Sequence, residues 1–437
     1  MANLIDQPRY VCALGAMQTV SSIERALPIL HAGPGCGAKL SLGLTEGNGG
    51  QGSGYISYHI FPSSNIGEKE VIFGGEKKLN ETIENALKVI DADFFVVLTG
   101  CVSEIVGDDV REVVKSFADA GKPVIYAETA GFKGNNLIGH ELVINAIIDQ
   151  YLKPAPVTDR LVNIWATVPA HDAFWYGNII HLEKLISEIG LIPNTIFGPR
   201  KGLKAVDKIP QASFNLLISP WVGLKNVELL KMKFGTPFLH YPVLPIGPHE
   251  TGNFLRAVGE FGGIDPSVVE AVIKKHEDEY YYFIERAADT FLETRSIARR
   301  FVTIADSHYA LAVSRFLVND MGLIPSKLFI IDGIPDEYKG SVSTLFKKYN
   351  HGIQAEVEFS TDGKDVQEQI RKTNYFGRPL ILGSIWEKVL AKELYGHYVG
   401  IAMPLSQRLV LDRSYVGYDG ALRLLEDIYS VVLETSI

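Results

Sequence analysis

Cysteine is nearly absent from this chain, with three residues among 437. So few thiols exclude a disulfide framework, and the cytoplasm, where thiols stay reduced, is the expected location. Long apolar runs are missing too. None reaches the roughly 18 residues that a membrane-crossing helix needs. The opening segment "MANLIDQPRYVCALGAMQTV" has no charged stretch followed by a long apolar one, so no secretory signal is expected. Excess positive charge is also lacking, since 42 Lys and Arg face 51 Asp and Glu for a net charge of -9. That balance argues against broad binding to nucleic acid or to an anionic membrane. It leaves room for docking at a local basic patch.

Nucleotide signatures are missing as well. The glycine-rich stretch "TEGNGGQGSGYIS" (45–57) has no GxGxxG placed between a strand and a helix, so it fails the test for a dinucleotide site. "VIFGGEKKL" (71–79) carries no Walker pattern. ATP hydrolysis is therefore not expected on this chain.

What is present reads as a folded multidomain protein. Apolar residues make up 46% and charged residues 21%, and the length suits two to four domains. "DADFFVVLTGC" (91–101) is a continuous apolar run, as expected of a parallel strand buried on both faces. A helical pattern follows, with Val110, Val113, Val114 and Phe117 on one face and Gly121 as its stop, and then the strand "KPVIYAE". This is a βαβ unit, so the class is α/β. The pattern restarts at "RLVNIWATV" (160–168), with strands at "TIFG" and "FNLLISP", and again at "RRFVTIADS" (299–307). Residues 265–300 read as a long helix or a helix pair. Three Rossmann-like domains with mostly parallel sheets are expected, at 1–158, 159–298 and 299–437. The tetrapeptide Gly-Leu-Ile-Pro recurs at 190–193 and 322–325, where glycine fits a left-handed helix cap. It is either shared loop grammar or domain repetition.

Cys12, Cys36 and Cys101 all lie in the first quarter of the chain, each beside glycine or alanine. Cys101 stands where a buried strand gives way to a helix, a place where α/β proteins present ligands. Cys36, in "HAGPGCGAK" (31–39), precedes another helix, whose free N–H groups and dipole favour a thiolate. Read singly, each cysteine fits a small buried apolar residue. Read together, three thiols at turns suit an iron–sulfur cluster, and small neighbours let inorganic sulfide approach the backbone. The spacing is unlike ferredoxin or zinc-ribbon runs, so a local four-ligand site is excluded. Three thiolates leave a cluster one ligand short, and the remainder must come from another chain.

"HAGPGC" (31–36), "EKEVIFGGEKKL" (68–79), "TGCVSEIVGDDV" (99–110) and "DRSYVGYDGALRLLEDI" (412–428) resemble the motifs of nitrogenase component 1 proteins. "ETAGFKGNNLIGHE" (128–141) resembles the form found in cofactor-assembly scaffold chains. The resemblance implies three α/β domains per chain, paired chains in an α2β2 heterotetramer, and an iron–sulfur cluster at the subunit interface. That cluster is a P-cluster of 8Fe–7S type in nitrogenases and a 4Fe–4S cluster in dark-type protochlorophyllide reductases. By motif, Cys12, Cys36 and Cys101 occupy the ligand positions. A separate ATP-hydrolysing iron protein would supply electrons, which agrees with the missing nucleotide motifs.

Departures from the family pattern narrow the expectation. No cysteine follows Cys101, and Val416 stands where the catalytic chain has a histidine, so the iron–heterometal cofactor is not expected here. The chain resembles the β-type partner or a scaffold. Gly131 falls at the position of a serine that lies near the cluster in nitrogenase β chains, and only eleven residues precede Cys12, where those chains often carry an extension. The expected function is therefore the β-type, cluster-binding subunit of a divergent nitrogenase-like reductase in an anaerobic cytoplasm. It would relay electrons to an active site mainly on an α-type chain. Dinitrogen is one substrate. A methylthio-alkane or a tetrapyrrole is another, and an assembly scaffold or a relative that has lost its cluster remains an alternative. Secondary candidates are His240 and His249 in "FLHYPVLPIGPHE", the "GDD" at 107–109, and "HEDEYYYF" (276–283), read as a solvated face over a packed stripe.

Overall fold

The computed structural model describes residues 7, 9–51, 61–198, 200–294 and 298–436. Three sheets organise them, and every pairing between their strands is parallel. The first contains β1 (Ala26–His31), β2 (Phe94–Thr99) and β3 (Val124–Ala127), in that order. β2 is buried along its whole length, as its unbroken apolar run requires. Its alternate residues feed two faces. Val96 and Leu98 join Leu30 in one buried cluster, and Phe95 and Val97 join Ile29 in another.

The second sheet contains β4 (Thr158–Trp165), β5 (Ile192–Asn194), β6 (Ala212–Leu217) and β7 (Phe238–His240), in the order β5-β4-β6-β7. The third contains β8 (Arg300–Ala305), β9 (Ile324–Pro325), β10 (Leu328–Ile330), β11 (Val357–Phe359), β12 (Leu380–Gly383) and β13 (His397–Gly400). Its order is β11-β10-β8-β12-β13, with β9 paired to β8. One continuous buried cluster joins these two sheets, from Val162 and Leu216 to Phe301 and Leu382, and takes in Leu424 and Ile428 of the C-terminal helix Gly417–Ser436.

The repeated tetrapeptide has the same place in both sheets. Gly190 and Gly322 are left-handed, with φ of 92° and 71°. Each Ile-Pro that follows forms a short strand beside the first strand of its set, with Val162 opposite Pro193 and Phe301 opposite Pro325. Proline has no N–H to give a ladder, so a short edge strand can hold it. The strand expected at "TIFG" is therefore displaced: it runs over Ile192–Asn194 and ends before Thr195. The segment after 265 is one helix, Pro266–Thr294. On it His276 and Tyr280 are buried, while Tyr281, Tyr282 and Phe283 are exposed. Among the described residues no helix is long and apolar enough to cross a membrane.

Candidate functional site

Two of the three cysteines stand at the C-terminal ends of neighbouring strands. β1 ends at His31, and the chain turns through Gly35 into the helix Cys36–Gly47. Gly35 has φ of 87°, a left-handed conformation that glycine adopts without a Cβ penalty. β2 ends at Thr99, and Gly100 leads into the helix Cys101–Val106. A Cβ on Gly100 would stand 2.7 Å from the Ala32 Cβ, so this glycine serves the close approach of the two strand-end loops. Each thiol opens a helix, where free N–H groups and the dipole favour negative charge.

Cys12 reaches the same place by another route. It forms an antiparallel bridge with Asn135, flanked by Ala13 N–H to Gly134 O at 3.0 Å and Asn136 N–H to Val11 O at 2.9 Å. The segment after β3 is thereby stitched to the N-terminal segment around Cys12. Gly131 is the centre of the arrangement. A Cβ there would lie 3.0 Å from Cys101 Sγ, 3.1 Å from Cys12 Cβ and 3.4 Å from Cys12 Sγ. Its N–H donates to Cys101 Sγ at 3.1 Å. A serine at this position would crowd both thiols.

Glu104 holds Gly131 in place. Its carboxylate accepts from Thr99 Oγ1 at 2.6 Å and from Ala130 N–H at 3.0 Å, and it pairs with Lys133 at 2.8 Å. His31 fixes the other side. Its ring bonds Ser64 Oγ and Asp108 Oδ2, each at 2.9 Å, and Gly75 N–H donates to Asp108 Oδ1 at 2.7 Å. Burial pushes the His31 pKa down, against the pull of Asp108, so the ring is neutral and donates to the carboxylate.

Cys12 is half-buried, while Cys36 and Cys101 are exposed. Burial pushes the Cys12 thiol up, N–H groups of Leu14 and Gly15 oppose that, and the charges of Cys101 and Cys36 raise it further. Cys12 is thus within electrostatic reach of both other thiols. Among the described residues, no three His, Cys, Asp or Glu side chains converge tightly enough to hold a single ion. Apolar side chains surround this rim. Phe73, Ile105 and Phe132 are 78%, 74% and 62% exposed, on segments that carry or touch the cysteines. Clustered exposed apolar groups mark surfaces that bind other molecules.

The secondary candidates have structural work. His240 Nε2 lies 2.8 Å from Ser219 O. His249 is exposed on the helix Gly247–Phe261, with Asn253 nearby. Asp109 caps the helix Val110–Asp119 by accepting from Glu112 N–H at 3.0 Å. His276 Nε2 lies 2.6 Å from Glu188 and its ring stacks on Tyr418. Val416 is fully buried in the core. Residues 52–57 of the glycine-rich stretch lie outside the described residues. Gln51 accepts from Trp175 Nε1 at 2.9 Å.

A second site had no motif to announce it. The C-terminal ends of β4, β6, β8 and β10 converge on a cavity of about 60 Å³, which Leu137 and His140 of the helix Asn136–Ala146 also line. His140, His171, His308, Asp172, Asp306 and Asp332 line it, with no lysine, arginine or cysteine. Burial holds the histidines neutral, with His140 lowered to about 3 and His171 and His308 to about 4. It pushes Asp172 up to about 6 and Asp306 up to about 7, the latter helped by Asp332 and Asp172.

Comparison with known proteins accounts for the motifs. A family model described as "Nitrogenase component 1 type Oxidoreductase" matches residues 12–433. The chain is 26% identical to a nitrogenase molybdenum-iron protein beta chain of Methanococcus maripaludis, covering 96% of this chain and 92% of that one. It is 22% identical to the beta chain of the same name from Azotobacter vinelandii, covering 98% and 84%. Among solved structures, "Nitrogenase Cp1 at pH 6.5" superposes with a TM-score of 0.83 at 20% identity, covering 99% of this chain and 94% of that one. That likeness concerns the fold.

Proposed function

Because the chain belongs to the nitrogenase component 1 type oxidoreductase family, we propose that it is the β-type, iron–sulfur-binding subunit of a nitrogenase-like reductase. In this reading Cys12, Cys36 and Cys101 are half of a ligand set, and an α-type chain supplies the rest across the interface of an α2β2 heterotetramer. The observation that carries it is the convergence of Cys12 and Cys101 on Gly131, where a side chain would fill the space between the thiols. The residues present suit such a group: soft thiolate donors, a backbone N–H aimed at one sulfur, and a side-chain-free position between two of them. When bound, the cluster would supply one-electron storage at low potential.

The chain's own residues have separate parts. Cys36 and Cys101 present thiolates at helix starts. Gly131 N–H stabilises negative charge on Cys101. Glu104 and His31 fix the two loops, and Phe73, Ile105 and Phe132 exclude water once a partner covers them. Electrons would come from a separate ATP-hydrolysing iron protein and leave for an active site mainly on the α-type chain. The cavity, which carries no thiol, is a poor match for an iron–heterometal cofactor. That supports assignment to the β-type side. Division at 1–158, 159–298 and 299–437 belongs to this reading, with one sheet in each span, as does a cytoplasmic location.

The test is anaerobic purification with the co-expressed α-type chain. Brown protein with iron and acid-labile sulfide, and turnover that needs the iron protein and ATP, is the expected result. Cys36→Ala should abolish that turnover. Colourless, iron-free protein from the same preparation rejects the reading. A complex that carries a transferable cofactor without turnover identifies an assembly scaffold instead.

A further inference from the structure

The central cavity goes beyond the cluster reading and does not depend on it. Among the described residues, its walls contain three carboxyl groups and no lysine or arginine. Asp332 is fully engaged, accepting from Trp221 Nε1, Ser307 N–H, Ser307 Oγ and Ile334 N–H. Asp306 is not. Its Oδ1 takes the Tyr309 N–H at 2.8 Å, but its Oδ2 faces His171 Nε2 at 3.9 Å, too far for a hydrogen bond. Asn136 Nδ2 lies 3.2 Å from His171 Nδ1, which leaves the ring proton on Nε2, pointing at that gap.

Two further polar groups facing the cavity are orphaned. Thr167 is 8% exposed, lines the cavity, and has no hydrogen-bond partner for its Oγ1. Both ring nitrogens of His308 are buried without a partner. Such groups are costly to leave unsatisfied, and a polar guest relieves that cost. The volume of about 60 Å³ is room for roughly four waters or one small organic molecule. The rest of the lining is apolar, including Leu137, Ile164, Ile179 and Val222.

We propose that this cavity binds a small primary ammonium cation, its charged head among Asp306, Thr167 and His308 and its carbon end against Leu137, Ile164 and Ile179. An ammonium head has three N–H donors and no acceptor, which suits the Asp306 carboxyl, the Thr167 hydroxyl and the acceptor nitrogen of the neutral His308 ring. An anion would find no cationic partner here. A multivalent metal ion would find no three converging ligands among the described residues. A cation also draws the two raised carboxyls back toward ionisation, so binding near neutral pH releases protons. The groups that set this response are Asp172, Asp306, Asp332, His140, His171 and His308, with Tyr10 and Tyr309 also facing the acids.

The test is calorimetric titration of the native complex with ethylammonium chloride at pH 7, at constant ionic strength, in two buffers of different ionisation heat. Expected are saturable binding, a buffer-dependent heat that reports proton release, and no saturable binding of tetramethylammonium, which lacks N–H donors. Asp306→Asn should weaken binding at least ten-fold, and the near-isosteric Thr167→Val about three-fold, with thermal melts confirming that each variant is folded. Absence of saturable binding to the unmodified complex overturns the proposal. So does unchanged affinity in both folded variants, or equal affinity for tetramethylammonium.

Discussion

The cysteine rim and the central cavity are both built on the carboxyl ends of parallel strands, yet they finish in opposite states. At the rim, two thiols are exposed and Phe73, Ile105 and Phe132 stand in solvent. The chain presents thiols there that it does not enclose. In the cavity, the acids and histidines are shielded, between side chains drawn from all three sheets' surroundings. An open half-site suits chemistry shared with a partner. A shielded cavity with acid and imidazole groups on an apolar lining suits a guest small enough to be held by one chain. If the comparison is right, damage to one region should leave the other's ligand in place.

The largest expected effect tests that independence directly. Cys101→Ala removes a thiol and the acceptor of the Gly131 N–H. Iron in the purified complex should fall more than ten-fold, while ethylammonium binding in the cavity stays within two-fold. Loss of both together would show that the two regions are one cooperative unit. Next in size is His31→Ala. It strips a hydrogen-bond partner from Asp108, whose side chain is 1% exposed. Leaving a buried carboxylate underpaired should cost about 3 kcal/mol, read by denaturant unfolding, with iron content falling as the loops loosen.

A smaller effect sharpens the cavity side. The raised acids and the lowered histidines act on stability in opposite directions. Asp306, raised from 3.8 to about 7, binds more protons in the native state than unfolded, so its contribution falls as pH rises through that window. His171 and His308, lowered from 6.5 to about 4, bind fewer protons in the native state, so their contributions rise over the interval from about 4 to 6.5. In the native protein these slopes partly cancel. Asp306→Asn removes one of the two raised cavity acids, so the variant's melting temperature should climb more steeply than the parent's between pH 4 and 6.5. A parallel pair of curves would mean that Asp306 is not held protonated.

The legibility of the two regions follows the same division. The rim was readable because its chemistry is local: Cys36 and Cys101 sit in short strand–glycine–helix passages, and the run "FFVVLT" announces β2. The role of Gly131 was only half readable. Its place in the motif was visible, but its contact with two sulfurs depends on the pairing of residues 11–13 with 134–136. The cavity was not readable. It draws residues from the ends of four strands and from four helices, Asn136–Ala146, Trp175–Glu188, Leu224–Phe234 and Ser307–Asn319, and none of these places carries a motif. Three strands also escaped notice, among them the two-residue β9 at Ile324–Pro325. β1 contains Pro28, which its edge position allows, and β13 is four residues that begin with His397 and Tyr398.

The smallest effect separates two adjacent carboxylates in the "GDD" turn. Asp108 is buried and tied to His31 and Gly75, so it belongs to the frame of the rim. Asp109 is the cap of the next helix, and its one side-chain contact holds Glu112 N–H at the surface. Asp109→Ala should therefore cost about 1 kcal/mol, the ordinary value of a lost helix cap. It should leave iron content and ethylammonium affinity unchanged. The contrast with His31→Ala is what matters, because the two changes strike the same turn from its outer and inner sides. If Asp109→Ala also depleted iron, the geometry of Cys101 would depend on the whole turn rather than on the buried His31–Asp108 contact, and the rim would be a looser structure than its hydrogen bonds indicate.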